Sequence, residues 1–393
     1  MSQLSPSVAA TLAQAVYGVF DVNQPSVRRA MEAQGMTGEL ATAASIEAVA
    51  DFEIETRAVS GVSGTLFTRR TSGFGMVLHG RGRRAGEVAV ICRGTIFDFP
   101  FDWASNLNIA LAEGPLGAMV HSGFNDVFRS MRRQVQDHLR GVNPTDLHVV
   151  GHSLGGALAH LFAAELVEKF PGTIRLYTFG CPRVGAASFA SALTQEIGLP
   201  NLHRVHALND PVTMIPIHPF VHAPMNGQGL AVPGFGRMIT ADAHAMSHYI
   251  AKVEGQDWAT LATAYAPPTP KSIRQMIAEA NSLCDIPYSA IALRLLGQAL
   301  DGLLKLAEIG VGNALTATFT VLDHMAIGLT RLASTAIELK DMVVDLIRAL
   351  FRFVGQRIVV TAANLGAALI RLALDLVFQA VSKLARRALD LVG

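Results

Sequence analysis

The segment Leu147-His148-Val149-Val150-Gly151-His152-Ser153-Leu154-Gly155-Gly156 constrains this chain more than any other. A short apolar run enters G-x-S-x-G and passes directly into a helical pattern, Ala157 to Phe170, that ends at Pro171-Gly172. Joining a strand to a helix over so few residues brings their backbones together, so positions 151 and 155 need glycine where a Cβ would clash. Ser153 is then held at the tip of the turn, its hydroxyl clear of a sheet edge and beside the partial positive charge of a helix N-terminus. Such a serine becomes a nucleophile only with a base and an acid, which in this architecture follow in the order Asp or Glu, then His.

Downstream, Glu165 and Glu168 belong to the helix after the turn and Glu196 to another helical stretch. Asp210 instead ends the run Leu202 to Leu208, in Leu208-Asn209-Asp210-Pro211. Pro211 stops that strand, which places Asp210 at the same sheet edge as Ser153. Four histidines follow. His218 and His222 lie in the Pro- and Gly-rich stretch 215–236, suited to lining a pocket. His244 and His248 are four residues apart, and spacing alone does not choose between them. The Glu of H-E-x-x-H is absent, so no metal site is expected.

The rest of the chain divides at Ala266-Pro267-Pro268-Thr269-Pro270. Before this cluster (1–266), β-branched runs at Phe52–Val59, Thr65–Arg70, Met76–His79, Glu87–Cys92, Leu147–Val150, Ile174–Phe179 and Leu202–Leu208 alternate with helical patterns. Early hairpins followed by strand-helix-strand units predict an α/β fold, a mixed and mostly parallel sheet with helices on both faces. After it (271–393), apolar residues take a helical period with narrow polar stripes, such as Arg294, Gln298, Asp301, Lys305 and Glu308, predicting an all-α module with wide apolar faces. Those faces must be buried in a bundle, against the first domain or in a bilayer. The apolar stretches are too short for a conventional membrane span.

Composition excludes other classes. Half the residues are hydrophobic and 16% are charged, too apolar for a disordered chain, and a net charge of +1 supplies no field to attract nucleic acid. Cys92, Cys181 and Cys284 form no disulfide or metal-ligand pattern and read as buried apolar residues. Met1 to Phe20 has no basic residue ahead of a compact apolar run, so no secretory signal is expected.

Several separated segments together resemble the class 3 lipases, a family of the α/β-hydrolase fold. Cys92-Arg93-Gly94-Thr95 is similar to F-R-G-[ST], with Asp102-Trp103 beyond it. Val120-His121-Ser122-Gly123-Phe124 resembles V-H-x-G-F, and Gly151 to Gly156 is the G-H-S-L-G-G elbow. Thr178 to Gly185 resembles T-F-G-x-P-R-V-G, and Asn209-Asp210-Pro211-Val212 a compressed N-x-D-x-V-P. His244-Ala245-Met246-Ser247-His248-Tyr249 matches the bacterial H-[SA]-M-x-x-Y form and departs from the fungal H-x-x-Y. The resemblance spans about residues 45 to 260. It implies Ser153 as nucleophile, Asp210 as acid and His244 as base with His248 as rival, and an oxyanion hole from Thr95 and Leu154.

The implied chemistry is ester hydrolysis through an acyl-enzyme, with no cofactor or metal. Ile96 to Trp103, with three Phe and one Trp, occupies the family's lid position and points to a lipid substrate. The apolar stretch Met214 to Phe235 is expected to form the opposite wall. From Arg348 onward the charges sum to +5, suited to docking the helical module on an anionic membrane, with phospholipid as substrate. A further reading is an antibacterial effector made in the bacterial cytoplasm, exported by a signal-independent machine and held in check by an inhibitory immunity protein. Rival readings are a membrane-inserting or pore-forming protein built on a hydrolase scaffold, and an intracellular esterase for small soluble esters.

Overall fold

The computed structural model describes residues 3–18, 47–48, 50–54, 59–63, 70–94, 111–225, 229–264, 271–307 and 320–391. Strands β1 (Phe52–Ile54) and β2 (Val59–Ser63) pair antiparallel with β3 (Arg70–Gly80), which pairs antiparallel with β4 (Glu87–Cys92). A separate ribbon joins β5 (Leu111–Glu113) to β6 (Met119–His121). From β4 the main sheet continues in parallel through β7 (Asp146–His152), β8 (Thr173–Phe179), β9 (Leu202–Ala207) and β10 (Leu230–Val232). This mixed sheet of parallel strands behind an antiparallel edge, with a strand-turn-helix elbow at its middle, is the α/β-hydrolase arrangement.

The sheet's period of two sorts its residues between two cores. Val88, Val90 and Cys92 of β4, Leu147 and Val149 of β7, and Ile174 and Leu176 of β8 share one cluster. Ala89, Ile91, Val150, Tyr177 and Phe179 share the other. On the second face lie helix α1 (Pro6–Ala15), capped by Ser5, and elements that follow β10. The first face carries α2 (Ser122–Leu139), α3 (Leu154–Val167) and α4 (Ala187–Ile197). Helices α5 (Met246–Val253) and α6 (Trp258–Ala264) join α1, and Trp258 Nε1 donates to the Leu4 carbonyl at 2.7 Å. Cys92, Cys181 and Cys284 are buried and free.

The C-terminal third forms α7 (Ile273–Leu283), α8 (Ala290–Leu306), α9 (Val321–Thr335), α10 (Ile337–Phe353) and α11 (Ala367–Asp390). Ser272 with Gln275 and Thr320 with Asp323 make capping boxes that start α7 and α9. The wide apolar faces pack on one another and on the hydrolase part, since one apolar cluster runs from α2 and α3 through α8, α10 and α11. Helix α11 lies along two short turns, Val212–Met214 and Ala241–His244. Among the described residues no helix is long and apolar enough to cross a membrane.

Some predicted elements shift. Most of the expected strand Thr65–Arg70 and all of the expected division at 266–270 lie outside the described residues. The strand that starts at Arg70 runs on to Gly80 and absorbs Met76–His79, although Gly73 and Gly75 interrupt its pattern. Strands β5, β6 and β10 are three residues each, too short for periodicity to register.

At the elbow a Cβ on Gly151 would lie 2.1 Å from the Gly155 carbonyl oxygen, and one on Gly155 2.2 Å from that of Cys92. Neither backbone can yield without parting strand from helix. Gly151→Ala is expected to destabilise by about 3 kcal/mol or more, read from denaturant unfolding. A second expectation concerns pH. Burial lowers His121, His160 and His203 from 6.5 to about 4 each. Below 6.5 the unfolded chain binds protons that the folded chain refuses until about 4, so this contribution is complete above 6.5 and is lost as pH falls through that window. Each histidine steepens the loss by about 1.4 kcal/mol per pH unit. Urea unfolding at pH 7, 5.5 and 4.5 should show progressively lower midpoints.

Candidate active site

Ser153 is the residue between β7 and α3, with φ +58° and ψ −131°, a left-handed conformation that a non-glycine residue holds only under constraint. The constraint is visible: Ser153 N–H donates to the Phe179 carbonyl at 3.0 Å, and Gly156 N–H to the Ser153 carbonyl at 2.9 Å. His244 ends the turn Ala241–His244, and its Nε2 stands 2.8 Å from Ser153 Oγ. His244 Nδ1 lies 2.8 Å from Asp210 Oδ2. All three side chains are fully buried. A carboxylate only accepts, so His244 Nδ1 carries the proton donated to Asp210 and Nε2 is left to accept from the serine hydroxyl.

Asp210 has further donors. The Val212 N–H donates to Oδ1 at 2.8 Å, and the Tyr249 hydroxyl donates to Oδ2 at 2.6 Å. Burial, reinforced by the neighbouring Asp210, raises the Tyr249 pKa well above its usual value and keeps that phenol protonated. The turn also depends on Gly180 (φ +56°), where a Cβ would sit 2.9 Å from Asp210 Oδ2 and 3.0 Å from His244 Nδ1.

His152 holds the main chain of the base. Its ring stacks on that of His244 with centroids 4.7 Å apart. Its Nε2 faces the His244 carbonyl at 2.9 Å, and its Nδ1 faces the Tyr17 hydroxyl at 2.8 Å. The carbonyl can only accept, so Nε2 carries the proton and Nδ1 accepts from Tyr17. Burial first, then the charge of His244, pushes the His152 pKa well below 6.5 and keeps it neutral.

The structure therefore brings together Ser153, Asp210 and His244. His248, on α5, turns away and its Nε2 meets the Pro233 carbonyl at 3.0 Å. Leu154 is the first residue of α3, so its N–H belongs to the helix-start donors that have no intrahelical acceptor. Thr95 and the expected lid, Ile96 to Trp103, lie outside the described residues. Arg93-Gly94 runs beside the elbow, because a Cβ on Gly94 would sit 3.1 Å from Ser153 Cβ. His218 and His222 line a cavity, as their stretch predicted. Sequence reasoning gave no role to Tyr17, His152 or Tyr249. For Tyr249 the signal was present in the H-A-M-x-x-Y segment, whereas Tyr17 carries none.

A buried serine, imidazole and carboxylate in this order at the head of a helix define a serine-hydrolase type of centre. Residues 89–220 match the family model described as Lipase (class 3). The chain is 37% identical over 137 residues to secreted mono- and diacylglycerol lipase 1 of Fusarium solani, covering 33% of this chain and 39% of that protein. It is 31% identical over 169 residues to phospholipase A1-II 4 of Oryza sativa subsp. japonica, covering 35% and 41%. The chain thus spans about two fifths of the length of these curated relatives. A solved structure of an MDLA mutant from Penicillium cyclopium covers 61% of this chain and 83% of its own, at 20% identity and a TM-score of 0.43.

Removing the Tyr249 hydroxyl takes one of the donors from Asp210 and leaves the imidazole less firmly oriented. In Tyr249→Phe the rate at which a fluorophosphonate labels Ser153 is expected to fall about tenfold, equivalent to about 1.4 kcal/mol, in protein that still unfolds cooperatively.

Proposed function

We propose that this chain hydrolyses carboxylic esters of lipids, membrane phospholipids among them, through an acyl-enzyme on Ser153. The observation that carries the proposal is the continuous path from Ser153 Oγ through His244 to Asp210, at 2.8 Å per step, on a strained elbow. In this reading His244 Nε2 takes the Ser153 proton as Oγ attacks the acyl carbonyl, and Asp210 stabilises the resulting imidazolium. The oxyanion forms against the N–H groups of Leu154 and Thr95. Collapse of the tetrahedral intermediate expels the alcohol, which leaves with the proton held by His244. Water, deprotonated by the same imidazole, then attacks the acyl-enzyme and releases the acid with Ser153 restored. The proton and electron balance closes without a metal or cofactor.

The names of the matched relatives, an acylglycerol lipase and a phospholipase A1, support a lipid ester. The burial of Ser153 supports work at an interface, because an acyl carbonyl reaches Oγ only after the covering residues move. For the docking surface, Arg357, Ile358 and Val359 stand exposed between α10 and α11, with Val359 75% exposed. Lys383, Arg386 and Arg387 are exposed along α11, which also exposes Leu372. Apolar tips among basic side chains suit an anionic lipid surface.

Acyl release from phosphatidylglycerol and phosphatidylethanolamine vesicles, with a short soluble ester as control, tests the proposal. Wild type should release fatty acid from vesicles, and Ser153→Ala should lose at least about a thousandfold of that rate. Activity confined to the soluble ester would make the chain a small-ester esterase. Dye leakage from vesicles that persists in Ser153→Ala, without acyl release, would make it a membrane-perturbing protein.

A further inference from the structure

A cavity of about 350 Å3 lies between the sheet and the C-terminal helices, and none of Ser153, Asp210 and His244 lines it. Leu296 and Leu300 of α8 and Leu374 and Phe378 of α11 give it apolar walls. The sheet side is different. Along β9, Val205 and Ala207 point into the core shared with α1, so Arg204 and His206 project onto the opposite face, which the neighbouring strands fill with Val, Leu, Ile and Cys.

The Arg204 side chain is out of place there as a structural residue. It is only 9% exposed, and its Nε and Nη1 have no hydrogen-bond partner among the described residues, nor has His206 Nδ1. Arg183, on the same cavity, shows what a structural arginine does: its Nη1 donates to the carbonyls of Met214 and Pro216 at 2.6 and 2.9 Å. Burial lowers Arg204 only to about 10, so the guanidinium stays charged at neutral pH. The groups that act on it are Cys181 and Tyr249, whose own pKa values burial raises, and the like charge of Arg183. The cavity's one carboxylate, Asp301, is half exposed and sits 3.6 Å from His218 instead. A buried cation without an anion is unfavourable unless a ligand supplies one.

We propose that this cavity binds a single-chain fatty acid, its carboxylate on Arg204 and His206 and its acyl chain between α8 and α11. The open Nε–H and Nη1–H donors of Arg204 call for an anionic acceptor, which a carboxylate supplies. The volume lies at the low end of the range of about 300 to 1,000 Å3 seen for ligand pockets, which suits one acyl chain and not the two of a diacyl lipid. Exposed Arg294 and Gln298 border the cavity and leave it a polar opening. The bound acid bridges the sheet to α11, and Thr213 and Met214, just after Asp210, lie along the same wall. This site is independent of the hydrolase reading, since its test measures binding and not turnover.

The test is calorimetric titration of the full chain with dodecanoate below its micellar concentration, with dodecanol as the uncharged arm and dodecyl phosphate as the phosphate arm. Two variants locate the site. Arg204→Met removes the charge. Gly297→Leu fills the cavity from α8, where a Cβ meets no atom within 4 Å. The expected result is one dodecanoate per chain, at least tenfold weaker binding of dodecanol and dodecyl phosphate, and at least tenfold weaker dodecanoate binding in both variants. Gly297→Leu should keep or raise the thermal midpoint, and it decides alone if Arg204→Met does not fold. Absence of saturable binding, equal affinity for dodecanol, or unchanged dodecanoate affinity in Gly297→Leu would overturn the proposal. Tighter binding of dodecyl phosphate would overturn the carboxylate in favour of a phosphate headgroup.

Discussion

Three backbone segments meet where β7 becomes α3: the end of β4 at Cys92, the turn at Gly151, and the helix start at Gly155. The contact is so close that no β-carbon fits at either glycine. Ser153 is thereby forced to a positive φ, and the bonds to the Phe179 carbonyl and from the Gly156 N–H stop the turn from relaxing into the helix. The strain belongs to the sheet as much as to the serine, because the parallel pairing of β4, β7 and β8 holds the three segments in register. A second ring of close contacts surrounds this one. Gly94 backs the serine and Gly180 backs the acid and the base, so on that side the polar groups are packed closely against main chain.

The imidazole of His244 is fixed from two directions by different means. Asp210 sets its tautomer through Nδ1, while His152 grips its carbonyl and lies flat against its ring. Protonating His152 would place a second cation 4.7 Å from the working one. Burial, and then the charge of His244, prevent that, so the neutral state of one histidine protects the chemistry available to the other.

Local features of the chain made Ser153 readable, because the glycines that shape the elbow lie within two residues of it. Asp210 was readable through chain order and the proline that ends its strand. The choice between His244 and His248 depended on which side of a turn each falls, and four-residue spacing carries no such information. One ends a 3-10 turn facing Ser153, and the other begins a helical turn facing Pro233. Tyr17 could not be found from pattern at all, because it meets His152 across 135 residues of sequence. The C-terminal helices were legible as helices from their periodicity, but a wide apolar face specifies burial without naming what it is buried against. Likewise Arg294, Gln298 and Asp301 read as a solvent stripe, yet they border a cavity whose other side is supplied by β9.

Helix α11 rests on both turns that carry the polar centre, the one after Asp210 and the one ending at His244. It comes long after them in the chain, so during synthesis the hydrolase sheet can form while these turns still lack their outer support. The order of translation therefore separates assembly of the elbow from assembly of its acid and base. A chain synthesised only as far as α10 would hold the elbow between β7 and α3 with the turns after Asp210 and before Ala245 still uncovered on the side where α11 later packs.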